Sequence, residues 1–429
     1  MPAASIESAS ASSRLHALNT VRAGAMLMVV VAHCLVAYGA GCVGVLPWPF
    51  DFGTQDVISG TLVRLIRPLP VPIFFFVAGF LARAAVERRG PGEFARTRAT
   101  RIGLPLLLAA ATVFPLVCLV GGWGLLGQHA SVDHWIWHSN FHRLIASELV
   151  GPAHLWFLRD LLMLSVLYAA AMLVWLPLRR RLGTQNGAAR PWLASLTACI
   201  AASVALVWLR PRTIIGFTNT FAPDLLELAY NGAFFLAGSA YRVRDGLLAR
   251  CGGRWWVWVA LACMAGGGYW AAMEWVIPSG VSRAPIVMDA AGMVCWIDGP
   301  SAAQVGQRAV VACASAAYVW LALRAVLAAA TSRASGQSPR ARWLADSSFW
   351  VYLAHLPIAL TLQVLLRPLT LPGVVKAAAI CAITVGVLLV AYQYLVRYRW
   401  LGRLLHGRRR RPDRAQPRRV VEPMSEARG

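Results

Sequence analysis

A chain of 429 residues with 58% hydrophobic and only 14% charged residues is too apolar for a water-soluble globule of that length; it reads as an all-α integral membrane protein. The net charge of +23, from 41 basic against 18 acidic residues, sits at the ends of apolar runs and in a terminal run of arginines at 408–411. Retention of basic loops on the cytoplasmic side and attraction to anionic lipid account for that placement, so nucleic acid is not expected as a partner.

The opening MPAASIESASASS has no basic start and reads as a disordered leader over 1–13, with the first span an uncleaved anchor. Ten apolar segments of spanning length follow, near 21–40, 59–82, 102–122, 154–177, 192–209, 223–241, 255–277, 307–330, 344–366 and 373–396. They form a membrane domain over 14–400, followed by a basic cytoplasmic tail over 401–429. The link from Pro211 to Pro223, between spans five and six, is short. Arginines cluster in every second loop: around Arg83 to Arg101, Arg179 to Arg190, Arg242 to Arg254, and Arg333 to Arg342. The positive-inside rule makes those loops cytoplasmic and, with an even number of spans, both termini too.

In the first span Arg22 and His33 are eleven residues apart, three helical turns plus about 20°, so they share one face and lie ~16 Å apart along the axis. Arg22 then sits at the cytoplasmic lip and His33 near mid-membrane. A polar ring at that depth either marks a functional site or hydrogen-bonds a neighbouring helix. Span two holds PLPVPIFFFVAGF, and the next loop FARTRATRIGLPLLL, in which Arg98 and Arg101 form an RxxR before a helix.

The loop SVDHWIWHSNFHRLI repeats His134, His138 and His142 every fourth residue, which suits either a metal site or, given its aromatics, an interfacial amphipathic segment; no fourth ligand is evident beyond Asp133. GPAHLWFLRDLL sets His154 and Trp156 at the external mouth of span four, with Arg159 and Asp160 just inside. Asp224, Glu227, Tyr230 and Asn231 line one face at the start of span six. Aromatic and carboxylate groups there suit a sugar acceptor, and interfacial anchoring is the alternative for the aromatics. Span nine carries DSSFWVYLAHLPI, with Tyr352 and His355 on one face. His355 lies thirteen residues beyond Arg342 and reaches a depth similar to that of His33. Tyr352 is placed to bond a substrate oxygen or to join span nine to a neighbour. The nine cysteines show no CxxC spacing and read as small packing residues.

These motifs together resemble the membrane acyltransferase 3 family over about residues 14–406. That family opens its first helix with Arg, ten residues and His, matched by Arg22 and His33, and follows its second helix with RxxR, matched by Arg98 and Arg101. The AGF of span two, the SxxxYLxHxP of Ser348, Tyr352, His355 and Pro357, and VRYRWLGRLLHGRR look most like the branch of the glucan biosynthesis protein C, a glucan succinyltransferase. Asn19 stands where the family usually has Asp three residues before the arginine.

The resemblance implies an O-acyltransferase of the bacterial inner membrane. It would move succinyl or acetyl from cytosolic acyl-CoA to hydroxyls of a periplasmic or surface glycan, with no permanently bound cofactor. The lipid bilayer and the glucan-synthesis machinery are its further expected partners. Within that reading His33 is the base or the acylated nucleophile, and Arg98 and Arg101 hold the phosphates of coenzyme A. Arg22, His355 and Tyr352 complete the catalytic set, while His154, Trp156, Asp224 and Glu227 face the acceptor. A polytopic transporter or acyl-group exporter without chemistry of its own is the alternative, because buried His and Arg also mark transport paths.

Overall fold

The computed structural model describes residues 3–40, 48–126, 151–181, 191–210, 212–215, 221–242, 254–276, 305–332 and 339–406. Among them every regular element is a helix, and the one bridge pairs Gly39 with Asp56. Lipid offers no partner to backbone N–H and C=O groups, so a chain this apolar must satisfy them within each segment.

The chain runs through α1 (Ala3–Val36), α2 (Val57–Ile66), α3 (Pro70–Arg89), α4 (Pro91–Arg98), a π-helical turn (Ala99–Gly103) and α5 (Leu104–Leu126). A 3-10 turn (Ala153–Leu155) leads into α6 (Trp156–Arg181), followed by α7 (Pro191–Leu209), α8 (Arg212–Ile215) and α9 (Leu225–Arg242). Then come α10 (Trp255–Val276), α11 (Val305–Ser332), α12 (Pro339–Leu365), α13 (Gly373–Ala391), a second π turn (Tyr392–Val396) and α14 (Trp400–His406).

Each of the ten expected segments is helical. Among the described residues, eight helical stretches are long and apolar enough to cross a membrane by length and composition. The other two segments correspond to α7, whose apolar part is Ala194–Leu209, and α9. The stretch expected as a disordered leader is instead helical from Ala3, continuous with α1. Residues 407–429, most of the expected tail, and the histidine-rich loop with His134, His138 and His142 lie outside the described residues.

Span two differs from the single helix expected over 59–82. It breaks between α2 and α3, because Pro68 and Pro70 have no N–H to donate and their rings clash with the preceding turn. The backbone freed by the break finds other partners. Leu69 N donates to Ile66 O at 3.1 Å, and the Tyr318 hydroxyl of α11 to Leu65 O at 2.8 Å. Irregular backbone inside a membrane protein persists where protein buries it or a cavity adjoins it, and Arg67, Pro68 and Pro70 line a cavity.

Helix α1 is the hub, packing on α2, α3, α11, α12 and α13. Beyond its end, residues 48–56 fold back into the bundle: Asp51 N bonds Ala37 O at 2.9 Å, and Trp48 and Phe50 are buried. Asp51 meets Lys376 of α13 at 2.8 Å with both side chains out of solvent. Helices α3 and α9 cross where Gly79 lies against the Phe235 carbonyl and Gly238 against that of Phe76, leaving no room for a Cβ at either glycine. The outer surface is apolar, with Leu107, Leu119, Val174 and Met264 exposed, whereas Asp160, Asn231, Ser347 and His355 lie inside. Such an apolar exterior around a partly polar interior suits a lipid surround.

Candidate active site

The α1–α12 contact brings His33 and His355 together. The two helices run parallel: Arg22 of α1 lies within Coulombic range of Asp346 of α12, and the histidines meet eleven and nine residues further on. His33 Nδ1 lies 2.8 Å from His355 Nε2, and the rings meet edge to edge, nearly coplanar, with centroids 5.0 Å apart and planes 13° apart. The expected equal depth of the two histidines is thus realised as a direct hydrogen bond. His33 also packs near-parallel to Trp48, with centroids 5.6 Å apart. Gln363 holds this layer together, accepting from Trp48 Nε1 at 3.0 Å and donating to His33 O at 2.8 Å.

The backbone sets the tautomers. His355 Nδ1 is 2.7 Å from Tyr352 O, and a carbonyl only accepts, so Nδ1 carries the proton. In the neutral ring Nε2 then holds a lone pair, and His33 Nδ1 must be the donor to it. His33 Nε2 is left with its own lone pair.

His33 lines a cavity of about 110 Å³, well above the ~10–15 Å³ that one water requires. Its wall is apolar at Val29, Val71, Phe74 and Phe157, and polar at Arg67, His154, Thr213, Glu227, Tyr230 and Asn231. Trp156 and Tyr352 complete it. His154 bonds Leu353 O through Nε2 at 3.1 Å, and the Tyr352 hydroxyl donates to His154 O, so α12 clamps the turn before α6.

Of the residues expected from sequence, His33, His154, Trp156, Glu227 and Tyr352 face this one cavity. Two, His355 and Asp224, depart from their expected parts, and Tyr352 takes the second of its two, joining span nine to a neighbour. His355 is wholly buried behind His33 and does not line the cavity, so it acts on His33 rather than on a substrate. The Tyr352 hydroxyl proton is engaged by the His154 carbonyl rather than offered to a substrate oxygen. Asp224 caps α9, accepting from Leu226 N at 3.0 Å and Glu227 N at 3.1 Å, and pairs with Arg210; it does not line the cavity.

Arg22, Arg98 and Arg101 form a separate group. Arg98 lies within Coulombic range of the other two and sits 5.1 Å over the Phe94 ring. The RxxR spans the end of α4 and the π turn, directly before α5. Asn19 carries no charge beside Arg22, and Asp346 of α12 lies within Coulombic range of that arginine.

Sequence reasoning passed over Arg67, Trp48, Gln363 and Asp346. For three of them a signal existed, since Arg67, Asp346 and Gln363 are polar side chains within expected apolar spans. Trp48 had none, because its place follows from the fold of 48–56 onto α1.

The fold and the enclosed histidine pair define a polytopic helical membrane protein with a buried site for acid–base or nucleophilic chemistry. A family model described as "acyltransferase domain", that of acyltransferase 3, matches residues 15–393. The chain belongs to that family and is a multi-pass membrane acyltransferase. No curated protein and no solved structure matches it.

Proposed function

We propose that the protein transfers an acyl group, succinyl or acetyl, from cytosolic acyl-CoA to hydroxyls of a glycan on the far side of the bacterial inner membrane. The observation that carries this reading is the His33–His355 pair, whose backbone-set tautomers leave His33 Nε2 unprotonated against a partly apolar cavity. Acyl transfer requires such a nitrogen, either to take the hydroxyl proton or to receive the acyl group.

The Arg22, Arg98 and Arg101 group supports a donor site for the phosphates of coenzyme A. It stands about 16 Å along α1 from His33, so the flexible arm of the donor would carry the thioester up to the cavity. Guanidinium forks grip phosphates bidentately. On the acceptor side, Trp156, Glu227, Tyr230 and Asn231 supply the aromatic and hydrogen-bonding surface that sugar hydroxyls use. The motifs shared with the glucan succinyltransferase branch favour a periplasmic glucan as acceptor and its synthesis machinery as partner.

The test uses purified protein in nanodiscs with acyl-CoA and an oligosaccharide acceptor, following released thiol and acylated sugar together. His33→Ala is expected to insert at normal abundance and to lose about 10²–10⁴-fold in transfer. Near-normal transfer by that variant would make His33 a packing residue and end this mechanism. Mass spectrometry of glycans from cells with and without the protein then separates succinyl from acetyl.

A further inference from the structure

A groove that shares no lining residue with the histidine cavity lies between α5, α12, α13 and α14. Its volume is about 740 Å³. Leu108, Val113 and Ile358 line it, and Leu116, Val387 and Trp400 are exposed along its edge, so it opens outward. Apart from Trp400, its polar side chains are engaged. Thr112 Oγ1 donates to Leu108 O at 2.8 Å, Thr361 Oγ1 to Pro357 O at 2.7 Å, and Trp350 Nε1 to Leu388 O at 3.1 Å. Little is left there to hold water, and an empty apolar space of that size forfeits dispersion contacts on every wall. Hydrocarbon is the filling that suits it.

The groove is long enough for a lipid chain. On α5 its lining runs from Pro105 to Val120, ~22 Å along the helix, against ~15 Å for the hydrocarbon of one leaflet. Its two ends differ. Helix α14 packs on both π turns, so it lies across the end where α5 begins and α13 finishes. There the groove adjoins a space of about 450 Å³ lined by Leu104, Leu108, Trp400, Arg403 and Leu404.

That end is cationic. Arg403 is exposed, and so is Arg399 one turn earlier, whose carbonyl accepts from Arg403 N at 3.1 Å. Residues four apart share one side of a helix. No acidic residue occurs between Glu93 and Asp133 or between Asp346 and Asp413, so none of the stretches that form the walls and the mouth carries a carboxylate. Trp400 stands beside the arginines, as tryptophan does at a membrane–water boundary. A second copy of the chain would bring the same arginines against these, and a lipid of no net charge brings an ammonium along with its phosphate. An anionic lipid answers both the apolar trough and the charged mouth.

We propose that this groove binds one anionic glycerophospholipid, with an acyl chain along α5 and α12 and the phosphate on Arg399 and Arg403. Guanidinium forks hold phosphate oxygens bidentately, and the chain replaces the missing wall contacts. The site is independent of the chemistry at His33 and stands whether or not the protein transfers acyl groups.

Purified, delipidated protein in neutral detergent is titrated with phosphatidylglycerol or with phosphatidylcholine of the same chains, and bound lipid is counted by native mass spectrometry. Wild type is expected to take up one phosphatidylglycerol at concentrations where phosphatidylcholine adds none. Arg399→Gln and Arg403→Gln should each weaken that uptake about fivefold, and the double variant about 25-fold. Thr112→Trp, which puts a ring in the groove, should abolish it with both arginines in place. Equal uptake of the two lipids, or unchanged uptake by the double variant or by Thr112→Trp, overturns the proposal. A further measurement needs no variant: phosphatidylglycerol with a diazirine in mid-chain is photocrosslinked to wild type in nanodiscs. The adduct is expected on the α5 and α12 peptides that line the groove, and adducts spread evenly over the exposed helices overturn the proposal as well.

Discussion

Replacing His355 asks whether His33 needs a ring behind it or only a hydrogen-bond acceptor. His355 Nε2 accepts from His33 Nδ1 at 2.8 Å and does not itself line the cavity, so its effect on the reaction passes through the tautomer and pose of His33. His355→Gln can offer an amide oxygen to the same N–H, whereas His355→Ala cannot. One net hydrogen bond of about 1–1.5 kcal/mol corresponds to roughly a tenfold rate difference. His355→Gln is therefore expected to keep about ten times the kcat of His355→Ala, with donor KM alike in both. Equal kcat in the two variants would show that His355 only fills space. Tyr352 and Leu353 contribute by their carbonyls, which fix the protonated nitrogens of His355 and His154; no side-chain pattern announces such a role.

At the level of elements, the cavity is shaped by what interrupts helices. The Pro68 break opens α2 from α3 beside His33, the 153–155 turn carries His154, and residues 48–56 fold back to bring Trp48 onto the histidine. That returning segment is pinned by Asp51 on Lys376, which is fully buried in α13. Removing one member of a buried ion pair strands the other charge and typically costs about 3–5 kcal/mol, while replacing both by apolar groups is far milder. Asp51→Ala is expected to lower the thermal midpoint of purified protein markedly, and the double variant Asp51→Leu with Lys376→Met to restore most of the loss. An unchanged midpoint in Asp51→Ala would mean that the pair does not hold the segment. The proline cluster was legible in the sequence, and so was a polar face at the start of α9. The pairing of residue 51 with residue 376 was not, because nothing local to either position specifies the other.

For the whole molecule, the functional question is which face meets which substrate. Arg22, Arg98 and Arg101 gather beside the middle of α1, and the cavity with its polar acceptor wall lies toward the C-terminal end of that helix. If the Arg-rich loops are cytoplasmic, a membrane-impermeant thiol reagent applied to intact cells should label Ser139→Cys and Ser279→Cys. It should spare Ser335→Cys and Ser425→Cys, with native Cys42 and Cys295 first replaced by alanine. Labelling of Ser335→Cys from outside would invert the map, separate the arginine group from the cytosolic donor, and rule out transfer across the bilayer by this route.

The sequence by itself determined the helical membrane class, the approximate positions of ten apolar segments and the two residues, His33 and His355, that anchor the site. Hydropathy, proline and arginine placement act locally or over one helix length, so each leaves its mark within a short window of the chain. Only the tertiary structure decided that His355 supports His33 from behind, that Gln363 ties His33 to Trp48, and that His154 bonds the Leu353 carbonyl. These depend on which helices become neighbours. Between helices the deciding interactions are single hydrogen bonds to carbonyls hundreds of residues away, and a carbonyl looks the same in every residue of the sequence.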